Sequence, residues 1–117
     1  MRKPIMVCDD EEGIRESLKL ILEKEYDVIF AESGEAAIKK MKASPVGLVI
    51  LDIKMPRKDG LETLRELKRI NPAARVIIAT GYKSTDVAEE ASRLGATDYV
   101  VKPFDRENIL KLAEKYA

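Results

Sequence analysis

The stretch LVILDIKMPRKDG, from Leu48 to Gly60, opens with an unbroken apolar run and then places Asp52 at the end of that run. An apolar run without polar alternation is typical of a strand covered on both faces, as in a parallel sheet between two layers of helices. We therefore expect Asp52 to lie where a buried strand leaves the core. Packing does not require a carboxylate at such a point, so its presence indicates a chemical role.

Apolar runs of the same kind recur along the chain, with a helical pattern between each pair. The other four cover residues 5–8, 28–31, 76–79 and 99–101. Five alternations of strand and helix with short connections predict an α/β fold, in which five helices flank a doubly wound, five-stranded parallel sheet. We predict the flavodoxin-like strand order 2-1-3-4-5. At 117 residues, the chain fits one domain, residues 1–117.

Residues that favour helix ends mark the boundaries of the predicted helices. Ser33 and Asp105 are suited to cap the second and fifth helices. The third helix is predicted to begin at Asp59, and the fourth at Ser84 or Thr85.

The charge balance and the scarcity of reactive side chains exclude several classes of function. Lys and Arg together number 21, as do Asp and Glu, so there is no positive excess to bind nucleic acid or an anionic membrane. No apolar stretch approaches the roughly 20 residues that span a bilayer. The first apolar run is too short for a secretory signal, so we expect a cytoplasmic protein. Without histidine and with one cysteine, the chain cannot form a Ser-His-Asp triad, a histidine-ligated zinc site or an internal disulfide.

Polar residues stand at the ends of four of the predicted strands. They are Asp9 and Asp10 after the first strand, Asp52 at the third, Thr80 at the fourth and Lys102 after the fifth. Ligands of open parallel sheets bind outside the carboxyl ends of the strands, near the point where strand order reverses. The predicted fold therefore brings three carboxylates, one hydroxyl and one ammonium into a single crevice.

The three carboxylates would repel one another unless a cation shared their site. Oxygen ligands without histidine or cysteine favour Mg²⁺, with Mn²⁺ as the alternative. Once a metal neutralises this charge, Asp52 can act as a nucleophile on phosphorus and form an aspartyl phosphate. Lys102 would then pair with the phosphoryl oxygens, and Thr80 would donate a hydroxyl hydrogen bond.

Four segments of the chain, in order, resemble the motifs of response-regulator receiver domains of two-component signalling. MVCDDE is similar to the acidic pair after the first strand, LDIKMPRKDG to the phosphoacceptor loop, ATG to the switch threonine and GATDYVVKPF to the lysine-proline segment. Each motif alone is weakly specific, whereas all four in this order are highly specific. The resemblance extends over essentially the whole chain.

The resemblance implies a role for each matching residue. It implies metal binding by Asp9, Asp10, Asp52 and the backbone carbonyl of Ile53. It implies phosphoryl acceptance by Asp52, switching by Thr80 and Tyr99, phosphate binding by Lys102 and a cis peptide bond before Pro103.

Lys54 and Tyr82 occupy two positions that vary widely within the receiver family. Each lies two residues beyond a site residue, Asp52 or Thr80 respectively, where a side chain can admit or block an attacking water. We therefore expect these two side chains to influence the lifetime of the phosphoryl group.

By this resemblance, the chain is a phosphorylation-activated switch and not an enzyme in the ordinary sense, although it would catalyse its own phosphorylation and dephosphorylation. The implied partners are a histidine kinase or histidine phosphotransfer protein, and a downstream effector or linked output domain. The expected output surface comprises helix four, strand five and helix five, including Tyr82, Val87 and Tyr99. The same surface would form any phosphorylation-dependent dimer.

Alternative interpretations fall partly within this family and partly outside it. The chain would also suit a stand-alone phosphorelay intermediate that passes the phosphoryl group on, or a receiver from a longer transcription regulator. An aspartyl-phosphate phosphatase of the haloacid-dehalogenase type would need a second aspartate two residues after the nucleophile, where this chain has Lys54. A phosphate-independent interaction module would not need the complete set of acidic, threonine and lysine residues.

Overall fold

The computed structural model describes residues 3–53, 60–81 and 85–117, and for residues 85–88 it describes the backbone alone. The strands are β1 (Lys3–Cys8), β2 (Tyr26–Ala31), β3 (Leu48–Asp52), β4 (Arg75–Thr80) and β5 (Asp98–Val101). The helices are α1 (Glu12–Leu22), α2 (Gly34–Ala43), α3 (Gly60–Ile70), α4 (Thr85–Arg93) and α5 (Arg106–Tyr116). None of these described helices is both long and apolar enough to cross a membrane.

The five strands form one parallel sheet in the order β2-β1-β3-β4-β5. The predicted α/β architecture and strand order are thereby confirmed. From β1 the chain moves to one edge of the sheet, forms β2 and then returns to the other side of β1 as β3. The carboxyl ends of β1 and β3 therefore border the point where strand order reverses, which is where such sheets bind ligands.

β3 is buried along its whole length, as its apolar run predicts. Successive side chains of a strand point to opposite faces of the sheet. Leu48 and Ile50 accordingly pack in the cluster that includes side chains of α1 and α5, whereas Val49 and Leu51 pack in the cluster that includes α2 and α3. The two layers of helices cover both faces of the sheet.

Two helix starts are stabilised by the predicted capping side chains. Ser33 Oγ accepts a hydrogen bond from Ala36 N at 3.1 Å at the start of α2. Asp105 Oδ1 accepts one from Glu107 N at 3.2 Å at the start of α5. Each bond satisfies a backbone N–H that has no partner within its helix, and the two predicted caps are confirmed.

The starts of α3 and α4 both lie next to residues that the structure does not describe. α4 is described from Thr85 onward, and Ser84, the other predicted start, lies outside the described residues. The predicted start of the third helix, Asp59, lies outside the described residues, and α3 is described from Gly60 onward. Gly95 follows α4 with a φ of 101°, a left-handed conformation that a residue without a side chain adopts at little cost.

Gly60 lies directly against the backbone of Ile53, the residue that follows Asp52. Gly60 N donates a hydrogen bond to Ile53 O at 3.2 Å. A Cβ atom added to Gly60 would lie 2.4 Å from Ile53 Cα and 2.8 Å from Ile53 O, far inside van der Waals contact. The missing side chain therefore allows α3 to begin beside the end of β3.

We expect Gly60→Ala to lower the free energy of unfolding by about 1–3 kcal/mol, because the added methyl group forces α3 away from Ile53. Gly13→Ala is the matched control, since a Cβ atom added at Gly13 in α1 meets nothing within 4 Å. That change should raise the free energy of unfolding by about 0.5–1 kcal/mol through helix propensity. Urea denaturation followed by circular dichroism measures both values. Changes of the same sign and size in the two variants would contradict the close contact.

Candidate functional site

Three carboxylates meet at the carboxyl end of the sheet. One carboxylate oxygen from each of Asp9, Asp10 and Asp52 lies within 4.8 Å of the other two. The cluster follows from strand register, because Cys8 of β1 lies beside Leu51 of β3 and the next residue along each strand is an aspartate. Asp9 and Asp52 are buried, whereas Asp10 is exposed, so the cluster opens to solvent on the side of Asp10.

Asp9 is held by hydrogen bonds at its backbone and at its side chain. Its N–H donates to Ala31 O at 3.0 Å, and its carbonyl oxygen accepts from Arg15 Nη1 at 2.8 Å. Its Oδ1 accepts from Glu11 N and its Oδ2 from Lys102 Nζ, both at 2.9 Å. Burial raises the pKa of the Asp9 carboxyl above its ordinary value, although the bonds from Glu11 and Lys102 act in the opposite direction.

Lys102 bridges the two buried carboxylates from the end of β5. Its Nζ lies 2.9 Å from Asp9 Oδ2 and 3.3 Å from Asp52 Oδ2, and its side chain is 17% exposed. Burial acts to lower the pKa of this ammonium, but the hydrogen bond to Asp9 and the charges of both carboxylates outweigh burial and raise the pKa. Lys102 is therefore a permanent positive charge beside the acidic cluster. The Lys102–Pro103 peptide bond is cis, as the family resemblance implies.

Thr80 ends β4, between the strands that carry Asp52 and Lys102. It is buried, and its carbonyl oxygen accepts a hydrogen bond from Lys102 N at 2.8 Å. Asp52 lies beside Ala79 in the register of β3 with β4, so Thr80 is one residue closer to the carboxyl edge. The structure thus brings Thr80 to the same edge of the sheet as the acidic cluster.

The backbone carbonyl of Ile53, a metal ligand by the family resemblance, has a partner within the protein. It accepts the hydrogen bond from Gly60 N at 3.2 Å, while Ile53 N donates to Ala79 O at 3.1 Å. These two bonds tie the residue after Asp52 to both α3 and β4. A carbonyl oxygen has two lone pairs, so this hydrogen bond leaves one lone pair of Ile53 O for a cation.

Tyr99 lies on the edge strand β5, and the residue is 52% exposed. Its backbone N–H donates to Asp98 Oδ1 at 2.8 Å. The ring is therefore available at the surface of this edge. Two other predicted residues, Lys54 and Tyr82, lie outside the described residues, and the side chain of Val87 is not described.

Glu11 and Arg15 contact Asp9, although neither residue was predicted to belong to the site. They follow Asp9 by two and six positions, at the start of α1 and within its first turns. A donor in the first turns of a helix can reach the loop that leads into that helix. The positions of Glu11 and Arg15, two and six residues after Asp9, are the sequence feature that would have indicated their contacts with Asp9.

The site combines a nucleophilic group, positive charge and oxygen ligands. Asp52 is held at the end of a buried strand, and its carboxylate could attack phosphorus. Three carboxylates and one ammonium leave a net of two negative charges when all are ionised, which one divalent cation offsets. A set of carboxylate oxygens fits a hard cation such as Mg²⁺ or Mn²⁺.

Comparisons with known proteins agree with this geometry. The family described as response regulator receiver domain matches residues 5–114. Transcriptional regulatory protein ZraR of Escherichia coli strain K12 is 38% identical over 112 residues, which are 95% of this chain but only 25% of that protein. Sporulation initiation phosphotransferase F of Bacillus subtilis strain 168 is 38% identical over 117 residues, covering 99% of this chain and 94% of that protein. The solved structure of chemotaxis protein CheY4 of Vibrio cholerae has a TM-score of 0.94 at 25% identity and covers 100% of both chains.

Cys8 ends β1 directly before the acidic pair. Its side chain is fully buried, and Sγ donates a hydrogen bond to Ser33 O at 3.4 Å. Burial, followed by the charges of Asp9, Asp52 and Asp10, raises the pKa of the thiol from 9.0 to about 12. The thiolate is the reactive form of cysteine. The folded protein therefore protects Cys8 from alkylation in two ways, because the raised pKa keeps the thiol protonated and burial keeps reagents away.

We expect native Cys8 to react with iodoacetamide at about pH 8 at least about a thousandfold more slowly than in urea, since three pKa units alone lower the thiolate fraction by about that factor. Intact mass spectrometry measures the rate at a single site because the chain has one cysteine. Similar alkylation rates in native and unfolded protein would show that the thiol is accessible.

Proposed function

Because this chain belongs to the response regulator receiver domain family, we propose that it is a phosphorylation-activated signalling switch whose phosphoryl acceptor is Asp52. The observation that carries the proposal is the meeting of Asp9, Asp10 and Asp52 beside the ammonium of Lys102. Phosphoryl transfer requires mainly positioning and charge stabilisation. The buried strand β3 positions Asp52, and Lys102 is a positive charge within reach of the oxygens of a phosphoryl group at that residue.

The phosphoryl group comes from a phosphorylated histidine outside these 117 residues, which contain no histidine. A carboxylate oxygen of Asp52 attacks phosphorus, so that a P–O bond forms and the P–N bond to the donor imidazole breaks. The imidazole leaves with the electron pair and takes a proton from solvent. The donor is thus a histidine kinase or a histidine phosphotransfer protein. Attack of water on the aspartyl phosphate in the same site releases phosphate, and Lys54 and Tyr82 influence the rate.

The proposed cofactor is Mg²⁺, with Mn²⁺ as the alternative. Asp10, Asp52 and the backbone carbonyl of Ile53 would hold it directly. Asp9 would act through a water molecule, as in the receiver family, while its carboxylate oxygens keep the hydrogen bonds from Glu11 N and Lys102 Nζ. When bound, the cation supplies positive charge that reduces repulsion between the acidic cluster and the phosphoryl oxygens.

The output surface is the face formed by α4, β5 and α5. The hydroxyl of Thr80 moves toward the phosphoryl oxygens, and this vacates space beside β5 for the ring of Tyr99, whose exposed fraction then falls from 52%. A ligand shifts an equilibrium only by its different affinity for two states, so the unphosphorylated protein samples the active state as a minority. This surface then binds an effector, a linked output domain or a second copy of the chain.

Two versions of this role have support among the relatives. The 38% identity with sporulation initiation phosphotransferase F supports a relay intermediate that passes the phosphoryl group on. The 38% identity with the transcriptional regulatory protein ZraR supports a receiver that controls a linked output domain. A haloacid-dehalogenase phosphatase is not retained, because the receiver family matches residues 5–114. In both versions the switch acts in the cytoplasm, without direct binding to nucleic acid or membrane.

Incubation with acetyl phosphate and Mg²⁺ is expected to add one phosphoryl group to the protein, at Asp52, as measured by intact mass spectrometry. Asp52→Asn removes the nucleophilic oxygen at nearly constant size and should abolish the adduct, as should EDTA. Asp27→Asn is the matched control, because Asp27 pairs with Pro4 near the opposite end of the sheet. An adduct of wild-type yield in Asp52→Asn, or an EDTA-independent reaction, would show that the site is assigned wrongly.

Beryllofluoride, a mimic of the phosphoryl group, is expected to change amide NMR shifts at Asp52, Thr80 and Tyr99 and throughout α4, because the conformational change links them. The same addition to Asp52→Asn provides the control and should leave these shifts unchanged. Shifts confined to the acidic cluster, with α4 unaffected, would contradict the proposed output surface.

A further inference from the structure

Arg15 is a half-buried cation of α1 that contacts the loop carrying the acidic pair. Its guanidinium Nη1 donates a hydrogen bond to the carbonyl oxygen of Asp9 at 2.8 Å. Its own backbone N–H donates to Glu11 O at 3.2 Å, so the residue is anchored in the first turns of the helix. The phosphoryl chemistry described above makes no use of this side chain.

The carbonyl group that Arg15 contacts belongs to the peptide unit joining Asp9 to Asp10. Because a peptide unit is planar, fixing its carbonyl oxygen also fixes the direction of the Asp10 N–H and limits where the Asp10 Cα can lie. The amino side of Asp9 is already held by the bond from its N–H to Ala31 O at 3.0 Å. The bond from Arg15 to the Asp9 carbonyl and the bond from Glu11 N to Asp9 Oδ1 together restrict rotation between the end of β1 and Asp10.

The two residues of the acidic pair differ in how their carboxylates are held. Both carboxylate oxygens of Asp9 accept hydrogen bonds, from Glu11 N and Lys102 Nζ. Asp10 is exposed, yet one of its carboxylate oxygens lies within 4.8 Å of those of Asp9 and Asp52. The placement of Asp10 therefore depends strongly on the orientation of the backbone that carries it.

We propose that Arg15 is a positioning residue, which orients the Asp9–Asp10 peptide and thereby presents the Asp10 carboxylate to a divalent cation. This inference rests on the proposed cation site at the acidic cluster. Arg15 contacts neither the cation nor the phosphoryl group. Groups that orient a metal ligand commonly change metal affinity by 10–100-fold when they are removed.

The charge of Arg15 and its positioning effect have opposite consequences for cation affinity. The guanidinium is always charged and repels a nearby divalent cation, so loss of the charge alone strengthens cation binding. Loss of the hydrogen bond lets the peptide rotate, and ordering Asp10 then costs free energy whenever the cation binds. The direction of the change in affinity therefore separates the two effects.

The experiment is calorimetric titration of wild type, Arg15→Met and Arg15→Lys with MgCl₂. Methionine keeps an unbranched side chain of good helix propensity but removes the charge and the donors. We expect Mg²⁺ to bind Arg15→Met about tenfold more weakly than wild type. Lysine keeps a cationic donor, so Arg15→Lys should retain most of the affinity. Unchanged or tighter binding by Arg15→Met, or an equal loss in both variants, would overturn the assignment.

Arg69→Met is the matched control for the loss of a helical arginine. Arg69 lies on α3, which packs on the other face of the sheet, and it pairs with Glu66 at the surface at 2.7 Å. This variant should bind Mg²⁺ as wild type does. The amide NMR resonance of Asp10 gives a second readout in metal-free protein, independent of any loss of stability. It should shift or broaden in Arg15→Met, and an unchanged Asp10 resonance would also overturn the assignment.

The titration also separates failure of this inference from failure of the proposed function, because it requires no phosphorylation. Asp10→Ala is the reference variant and should weaken Mg²⁺ binding more than Asp9→Ala. If Asp10→Ala binds Mg²⁺ as tightly as wild type, the proposed cation site is wrong and the role of Arg15 fails with it. If Asp10→Ala binds weakly while Arg15→Met binds normally, only the role of Arg15 is wrong.

Discussion

The ammonium of Lys102, held between the buried carboxylates of Asp9 and Asp52, is the interaction on which the rest of the site depends. Two carboxylates removed from water at neighbouring strand ends repel each other and lose hydration. Lys102 offsets part of both costs, and the same carboxylates raise the pKa of its ammonium. Lys102 therefore stabilises the charged form of each carboxylate and they stabilise its ammonium, although the two carboxylates repel each other. Loss of Lys102 would leave two buried carboxylates without the cation between them.

Strand order makes this interaction geometrically feasible. β1 and β3 are neighbours, so Asp9 and Asp52 lie side by side, while β4 separates β3 from β5. The long side chain of Lys102 reaches across the end of β4, where Thr80 lies. A phosphoryl group at Asp52 would meet both Lys102 and Thr80, and this gives the proposed switch its physical basis. Phosphorylation of Asp52 would therefore alter the balance of charge between Lys102 and the two buried carboxylates, which stabilises the unphosphorylated site.

Much of this architecture was predictable because the relevant information is local. Unbroken apolar runs such as residues 48–51 predict buried parallel strands, and helical spacing predicts the helices between them. The carboxyl ends of parallel strands share one edge, so the residues that follow each run could be placed together before any distance was known. The caps at Ser33 and Asp105 were predictable for the same reason, since each bond spans at most three residues.

The fold class and the residue types gathered at the carboxyl edge could be predicted from the sequence alone, because burial and periodicity depend on adjacent residues. The strand order was chosen by analogy with flavodoxin-like folds. The tertiary structure was needed to establish which atoms meet. Lys102 bonds to Asp9 across 93 positions, Arg15 contacts the Asp9 carbonyl, and the Ile53 carbonyl bonds to Gly60 N. Such partners depend on interatomic distances that helix packing and strand register set, and a periodic pattern of residue types does not specify those distances.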